Sequence, residues 1–367
     1  MQNKCKKSGA ISSYNCFSPK NQSAGLSIKN LIDNHFIAYN ARQLADACKL
    51  VSRIANDRNI TVGLSISGAL IPAGVGYSSI IPLMKHGFVD WIVSTGANLY
   101  HDMHHFLGHE MYRGNHVSDD SLLHKDGIVR IYDLYLESQA LYDTDKFIRE
   151  SIKKLIGRKS LKNGQSSSDL HYQLGAYMLE MDDGADEYSV LAAGAKYQIP
   201  IHCSAPADSG IGMNLAALIK ENVFFSIDQN YDVLETASYV HNAKKEGGSS
   251  AVVILGGGSP KNFLLQTEPF INEVLGIKDV GHDYFIQFTD ARPDTGGLSG
   301  ATPSEAVSWG KIDPNKLPGT IVCYGDCTVY APLVTQYVMD SCAPREMKNL
   351  YQSKGQIVKN LLDDAKS

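Results

Sequence analysis

The segment with the clearest chemical content is Glu305-Ala-Val-Ser-Trp-Gly-Lys-Ile312. Thr302 or Ser304 can cap a short helix that Pro303 starts, and Glu305 and Trp309 then fall at i and i+4 on one face. Lys311 follows directly after Gly310. A lysine beside an indole loses solvation, which favours the neutral amine. A neutral lysine amine attacks a carbonyl or an imine carbon, so Lys311 is the candidate nucleophile. The plain alternative is a surface charge next to a core tryptophan. The glycine-rich, carboxylate-flanked stretch before Lys311 narrows that gap.

A second candidate is Ala251-Val-Val-Ile-Leu-Gly-Gly-Gly-Ser259. A buried strand that ends in Gly256, Gly257 and Gly258 lets a backbone approach a ligand closely, and the helix that follows offers its N-terminus to a phosphate. The run is neither a GxGxxG fingerprint nor a P-loop. From these residues alone a ligand-free strand–helix turn reads equally well. A third candidate is the cluster His101, His104, His105 and His109, with His116 nearby. The i, i+4 pairs can place two imidazoles on one metal. Gly108 interrupts that helix and no HExxH is present, so pocket or interface histidines are the favoured reading and no metal is assigned.

These groups need a scaffold. Apolar spacing predicts helices over 41–58, 71–85, 143–157, 168–181, 185–196, 210–221, 230–245, 261–274, 328–340 and 345–364. Strands are predicted over 60–66, 89–93, 128–136, 199–203, 251–255, 283–288 and 319–323. Strands alternating with helices imply an α/β fold with a doubly wound, mostly parallel sheet and helices on both faces. Ligands bind such sheets beyond the carboxyl ends of the strands. Several predicted strands end in Gly, Ser, Thr or Asp, so function is sought there. Residues 1–27 read as a polar, flexible arm and 28–367 as one domain.

Composition sets outer bounds. The chain has 367 residues, 34 Lys+Arg against 39 Asp+Glu and a net charge of −5. That balance excludes a chain built to coat nucleic acid. No apolar run reaches the length of a membrane helix, and the lysine-containing N-terminus has no apolar core of a secretory signal. Seven scattered cysteines argue for free thiols and a cytoplasmic protein. Cys323 and Cys327 are read as buried structural thiols.

The lysine segment resembles the active-site lysine motif of deoxyhypusine synthase, and the resemblance covers nearly all of the chain after the arm. The glycine-ended strand matches a family element. Ser94, Thr95 and Gly96 match its Thr-rich strand end, with Asp102 at the acidic position after it. The segment 199–212 matches the one that carries a cofactor aspartate, here Asp208. Tyr324-Gly-Asp-Cys-Thr328 matches a strand end that contacts adenosine, with Asp326 retained. The resemblance implies a Rossmann-like, NAD-binding domain in a homotetramer whose active sites are shared across a subunit interface. It implies that Ser94, Thr95, Gly96, Asp208, Gly256, Gly257, Gly258, Thr289, Asp290, Gly296, Gly297, Ser299 and Asp326 hold NAD. It assigns Lys311 to covalent catalysis, and Glu305, Trp309, His101 and Asn262 to the polyamine.

The chain departs from the family on the polyamine side. Leu298 and Met213 stand where the family has carboxylates, Asn262 where it has a histidine, and His101 where it has a glutamate. A buried ammonium needs carboxylate partners. His101, Asp102, Asp290 and Asp294 are the candidates to replace them. The expected activity is therefore NAD-dependent aminobutyl transfer from a polyamine, through a Lys311 imine, to a small amine, as in homospermidine synthesis. The alternatives are true deoxyhypusine synthase acting on a translation-factor lysine, a family member that keeps NAD without the chemistry, and, last, a metal hydrolase.

Overall fold

The computed structural model describes residues 17–366. Its strands are β1 (Ile60–Ile66), β2 (Trp91–Ser94), β3 (Tyr112–Arg113), β4 (Ile128–Ile131), β5 (Leu134–Glu137), β6 (Ile201–Cys203), β7 (Ser249–Leu255), β8 (Tyr284–Thr289) and β9 (Thr320–Tyr324). Six of them make one sheet in the order β6-β2-β1-β7-β8-β9. Every neighbouring pair in it is parallel. All six carboxyl ends therefore lie on one edge. Counted along the chain, the order is 3-2-1-4-5-6. The chain winds outward from β1 in one direction, returns, and winds outward in the other. The reversal falls between β1 and β7, and a crevice opens at such a point.

Alternation along β7 explains why both faces are covered. Ala251, Val253 and Leu255 join one apolar cluster, with Leu44, Ile54, Val334 and Val338 from the helices Tyr39–Ala55 and Cys327–Ser341. Val252 and Ile254 join another, with Tyr239, Val240, Ile357 and Leu361 from the helices Gln229–Lys245 and Leu350–Asp364. Successive side chains of a strand point to opposite faces, so a strand buried on both reads as a continuous apolar run. Truncating a central residue such as Ile254 to alanine costs about 2–5 kcal/mol.

Three predicted elements are corrected. The strand expected over 128–136 is a hairpin, β4 and β5, that reverses at Tyr132 (φ 54°) and joins β3 in a separate antiparallel sheet. The helix expected over 71–85 is a π-turn, Gly76–Ile80, followed by a short helix, Ile81–Lys85. Pro82 has no N–H to continue an α ladder, which favours the wider turn. The helix expected over 261–274 starts earlier, at Gly258, and breaks up after Leu265 around Pro269. The helix Gly96–Phe106, which carries the histidine cluster, starts at the cap Thr95.

Of the expected arm, residues 1–16 lie outside the described residues. Residues 17–27 carry no helix or strand, and the first helix, Ile28–His35, is capped by Ser27. Cys48, Cys203, Cys323, Cys327 and Cys342 are buried and free, and burial pushes the Cys323 and Cys327 thiols up to about 12. Cys5 and Cys16 lie outside the described residues. Among those residues no helix is long and apolar enough to cross a membrane.

Candidate functional site

The glycine turn sits at the point where the winding reverses. The N–H of Gly256 still donates to Phe288 (2.8 Å), which prolongs the β7–β8 pairing. Gly256 (φ 86°) and Gly258 (φ 61°) are left-handed, a conformation that costs little only for glycine. Gly257 is needed for another reason: a Cβ there would lie 2.5 Å from Cα of Ser299. The Gly257 N–H donates to Oγ of Ser67 at the end of β1 (3.0 Å), and that hydroxyl donates back to the Gly257 carbonyl. The Gly258 N–H donates to Oγ of Ser299 (2.9 Å). Nothing lies within 4 Å of where a Cβ on Gly258 would point, so the turn is open on that side.

The other cofactor candidates gather on the same edge. Oγ1 of Thr95 donates to the Gly68 carbonyl (2.7 Å) and accepts from Nδ2 of Asn98 (3.0 Å). Ser94 is buried, and its hydroxyl donates to the Thr95 carbonyl (3.0 Å). A Cβ on Gly96 would lie 2.3 Å from Cβ of Ser209; its missing side chain makes room for the loop after β6. Asp208 is exposed on that loop. Thr289 accepts from the Ala291 N–H (3.1 Å) beside exposed Asp290. Asp326 caps the helix Cys327–Ser341 by accepting from the Thr328 N–H (2.6 Å). Gly296 (φ 71°) and Gly297 are exposed on the loop that leads to Ser299.

Lys311 lies in an adjoining cleft of about 290 Å³ whose walls include Leu298, Ala301, Glu305, Trp309 and Asn262. Thr302 caps the helix Pro303–Ser308 through the Glu305 N–H (3.2 Å). Nζ of Lys311 donates to Oδ1 of Asn262 (3.0 Å) and lies 5.6 Å from the Trp309 ring centroid. Burial lowers the Lys311 ammonium from the ordinary lysine range, and the Glu305 carboxylate opposes that shift. The backbone is pinned as well. The Lys311 carbonyl accepts from the His282 N–H (3.0 Å), and its own N–H donates to Ala306 (3.0 Å). A Cβ on Gly281 would lie 2.5 Å from the Ile312 carbonyl carbon, so the two chains touch backbone to backbone. Trp309 and Leu298 are 62% and 52% exposed.

Three participants were not singled out from the sequence: Ser67, Gln287 and Lys261. Lys261 is only 2% exposed. Its Nζ donates to Oε1 of Gln287 (3.0 Å), to the Ala301 carbonyl (2.7 Å) and, more distantly, to the Ser299 carbonyl (3.4 Å). Burial pushes it down to about 8; Lys311 pushes the same way and Glu305 opposes. Gln287 in turn donates to the carbonyls of Gly256 (2.7 Å) and Ser299 (2.8 Å). The signal for Lys261 was its place in the first turn after the glycines, where no Ser or Thr follows to make a P-loop.

The histidines and acids proposed to replace lost carboxylates separate here. His101 is half-buried, with its ring centroid 5.0 Å from that of His104. Burial holds His101 down to about 4 and His104 down to about 3, so both are neutral. Asp102 is committed elsewhere: it accepts from Oγ of Ser189 (2.6 Å) and the N–H groups of Val190 (2.8 Å) and Leu191 (3.0 Å), at the start of the helix Val190–Lys196. Asp294 forms a two-point pair with Arg292 (3.0 and 2.8 Å). Among the described residues the group spaced to hold a metal is His202, Asp232 and Glu235, not the cluster around His101. Its carboxylates already accept hydrogen bonds from His202, Ser167, Ser168 and Lys354.

Comparison with known proteins gives a consistent result. The sequence profile of the deoxyhypusine synthase family matches residues 31–338. A "deoxyhypusine synthase-like protein" of Nostoc punctiforme is 51% identical over 341 residues, 92% of this chain and 86% of its own length. A "probable deoxyhypusine synthase 2" of Methanosarcina acetivorans is 36% identical over 84% of this chain and 85% of its own. Among solved structures, a candidate deoxyhypusine synthase from Entamoeba histolytica shares the fold with a TM-score of 0.57 at 13% identity, over 91% of this chain and 99% of that one.

Proposed function

The chain belongs to the deoxyhypusine synthase family, and from that premise we propose that it is an NAD-dependent aminobutyl transferase that moves the group from a polyamine to a small amine. With spermidine as donor and putrescine as acceptor, the product is homospermidine. The observation that carries this reading is Lys311: a half-buried amine, lowered by burial, in a cleft walled by Trp309, Leu298 and Ala301.

The residues at the reversal of the sheet fit a dinucleotide. The order 3-2-1-4-5-6 and the open side of the turn at Gly258 suit the close approach of a pyrophosphate at a helix N-terminus. Exposed Asp208 and Asp326 stand at strand ends, where carboxylates accept from ribose hydroxyls. NAD, when bound, supplies the removal and return of one hydride.

Once the carbon beside the secondary amine of the donor is an imine, neutral Nζ of Lys311 adds to it. The C–N bond to 1,3-diaminopropane breaks, the departing amine takes the proton, and the aminobutyl group remains as an imine on Lys311. The acceptor amine displaces Lys311 by the same exchange. Asn262 orients Nζ through its amide oxygen. Glu305 accepts an ammonium end in a charge-assisted bond, and Trp309 holds the alkylammonium chain by cation–π contact. The exposed Trp309 and Leu298 fit a homotetramer in which a neighbouring subunit closes the cleft.

The test is to incubate the protein with NAD, spermidine and putrescine and to assay the products by mass. Homospermidine with 1,3-diaminopropane is the expected result. Neither product, with NAD shown to bind, overturns the transfer. Label passing instead to a translation-factor lysine assigns true deoxyhypusine synthase.

A further inference from the structure

Beside the edge strand β6 the protein encloses more negative than positive charge. Asp232 and Glu235 are buried there, with Asp169 close to them at the rim. Among the described residues one ammonium bonds to this group: Lys354 reaches Asp169 (2.6 Å) and Glu235 (2.9 Å). His171 brings no charge, because burial holds it down to about 4 and its Nδ1 is spent on the Ile201 carbonyl (2.8 Å). Unbalanced buried charge is costly, so three carboxylates around one ammonium call for a further cation.

His202 marks where that cation belongs. It is the middle residue of β6 and is wholly buried. Its Nδ1 lies 2.8 Å from Oδ1 of Asp232, which also accepts from the N–H (3.0 Å) and the hydroxyl (2.8 Å) of Ser167. A carboxylate that gathers such donors is an acceptor, so the imidazole proton sits on Nδ1. Nε2 is then a bare lone pair. It has no hydrogen-bond partner and lies 3.9 Å from Oε2 of Glu235. That gap is too long for a shared proton, whose heavy atoms stand about 2.7–3.2 Å apart. It is the span of two metal–ligand bonds of about 2.0–2.2 Å that meet at a wide angle. Oε2 accepts one hydrogen bond, from Ser168 (2.7 Å), while Lys354 uses Oε1, so Oε2 keeps a lone pair for a metal.

A second buried polar atom is aimed at the same place. The Tyr239 hydroxyl has no partner. Tyr239 lies at i+4 from Glu235 on the helix Gln229–Lys245, and its ring centroid is 5.8 Å from that of His202. After burial, the Glu235 charge is what most raises that hydroxyl. One atom each of His202, Asp232 and Glu235 lies within 4.8 Å of the others.

We propose that His202, Glu235 and Tyr239 bind a divalent transition metal through Nε2, Oε2 and the phenolic oxygen, with Asp232 orienting the imidazole from its other nitrogen. A carboxylate behind a metal-bound imidazole fixes its tautomer and orientation, and a nitrogen–oxygen ligand set suits zinc and its neighbours. The site is enclosed, so its work is structural: it ties β6 to the helix Gln229–Lys245. Ser167 carries that tie to the end of the strand, where its hydroxyl accepts the Cys203 N–H (2.9 Å) just before the loop that bears Asp208. The inference is independent of the transferase reading.

The test uses the full-length protein and needs no substrate. The protein is stripped with a chelator, given Co²⁺, and followed by visible absorption and by metal analysis after gel filtration. About one metal per chain is expected, with d–d bands that are lost in His202→Phe and Glu235→Gln and kept in His101→Gln. Zn²⁺ at about a hundredfold excess over its dissociation constant is expected to raise the melting temperature of stripped protein by about 4 °C. Stripped wild type that takes up no Co²⁺ overturns the proposal, as does equal uptake by folded His202→Phe. If that variant does not fold, Glu235→Gln, which keeps an oxygen for Lys354, makes the comparison, and equal uptake there overturns the proposal.

Discussion

The hydroxyl of Ser299 accepts the N–H of Gly258 at 2.9 Å, and the carbonyl of the same serine accepts from Gln287 at 2.8 Å. One residue thereby ties the glycine turn, strand β8 and the loop leading to Lys311 into a single unit. The crevice at the sheet reversal and the lysine cleft are two sides of that unit, so a change on one side should be felt on the other.

Alanine at the turn separates packing from backbone strain. Gly257→Ala drives a Cβ into Ser299 and should cost about 1–3 kcal/mol by overpacking, with the proposed transferase activity reduced at least tenfold. Gly258→Ala enters open space and bears only the left-handed penalty of about 1–2 kcal/mol. Thermal melts and activity of the two variants check this; equal loss of activity at equal stability would contradict it.

Removing the proposed nucleophile should abolish covalent chemistry and leave the fold intact. Lys311→Arg is expected to lose borohydride trapping of a spermidine-derived imine and to reduce kcat by about 10³-fold or more. Its melting temperature should stay close to wild type, because the side chain lines an open cleft. Persistent trapping in the variant would place the imine on another lysine.

Asn262 holds Nζ of Lys311 through one bond. Its amide oxygen accepts from the ammonium, so Asn262→Ala removes support for the charged form and should lower the Lys311 midpoint. Asn262→Asp puts a carboxylate there, should raise the midpoint, and should slow trapping at pH 7 about tenfold. The pH dependence of the trapping rate in both variants reads the two directions.

Acid should destabilise the protein through its buried imidazoles. His282 is wholly buried, faces Oγ of Ser250 (3.0 Å), and is held neutral with its value pushed down to about 3. A base depressed on folding contributes stability above its unfolded value of 6.5, and that contribution is lost as pH falls from there toward 3. His282→Gln should melt lower than wild type at pH 7.5, and the gap should close as the pH approaches 4. Melting curves at several pH values test this; a gap that does not change would assign His282 to packing alone.

Much of this arrangement was legible because parallel strands write their ends plainly. Apolar runs stopped at Ser94-Thr95-Gly96, at the three glycines and at Thr289-Asp290, and a parallel sheet gathers such ends on one edge. The cap at Thr302 and the pairing of Trp309 with Lys311 followed from local spacing. Other features depended on contacts that no local pattern carries. The hairpin at Tyr132 was hidden because alternation continues through its turn. Asp102 reads as a site acid until the helix Val190–Lys196 arrives, 87 residues later, to take its oxygens. Lys261 looks like any helix lysine until Ser299 and Ala301 fold over it. The space that Gly96 and Gly257 leave is taken by Ser209 and Ser299, so their small size serves the meeting of loops.

The root and the tip of Lys311 obey different constraints. Its carbonyl is locked to His282, and Gly281 allows the two backbones to meet there, while Nζ is held through a single amide oxygen. The residue is a fixed pivot carrying a flexible four-carbon arm. In the proposed transfer, cargo bonded to the tip can sweep from where a donor leaves to where an acceptor arrives while the pivot stays still, so handing the group over requires no hinge in the fold.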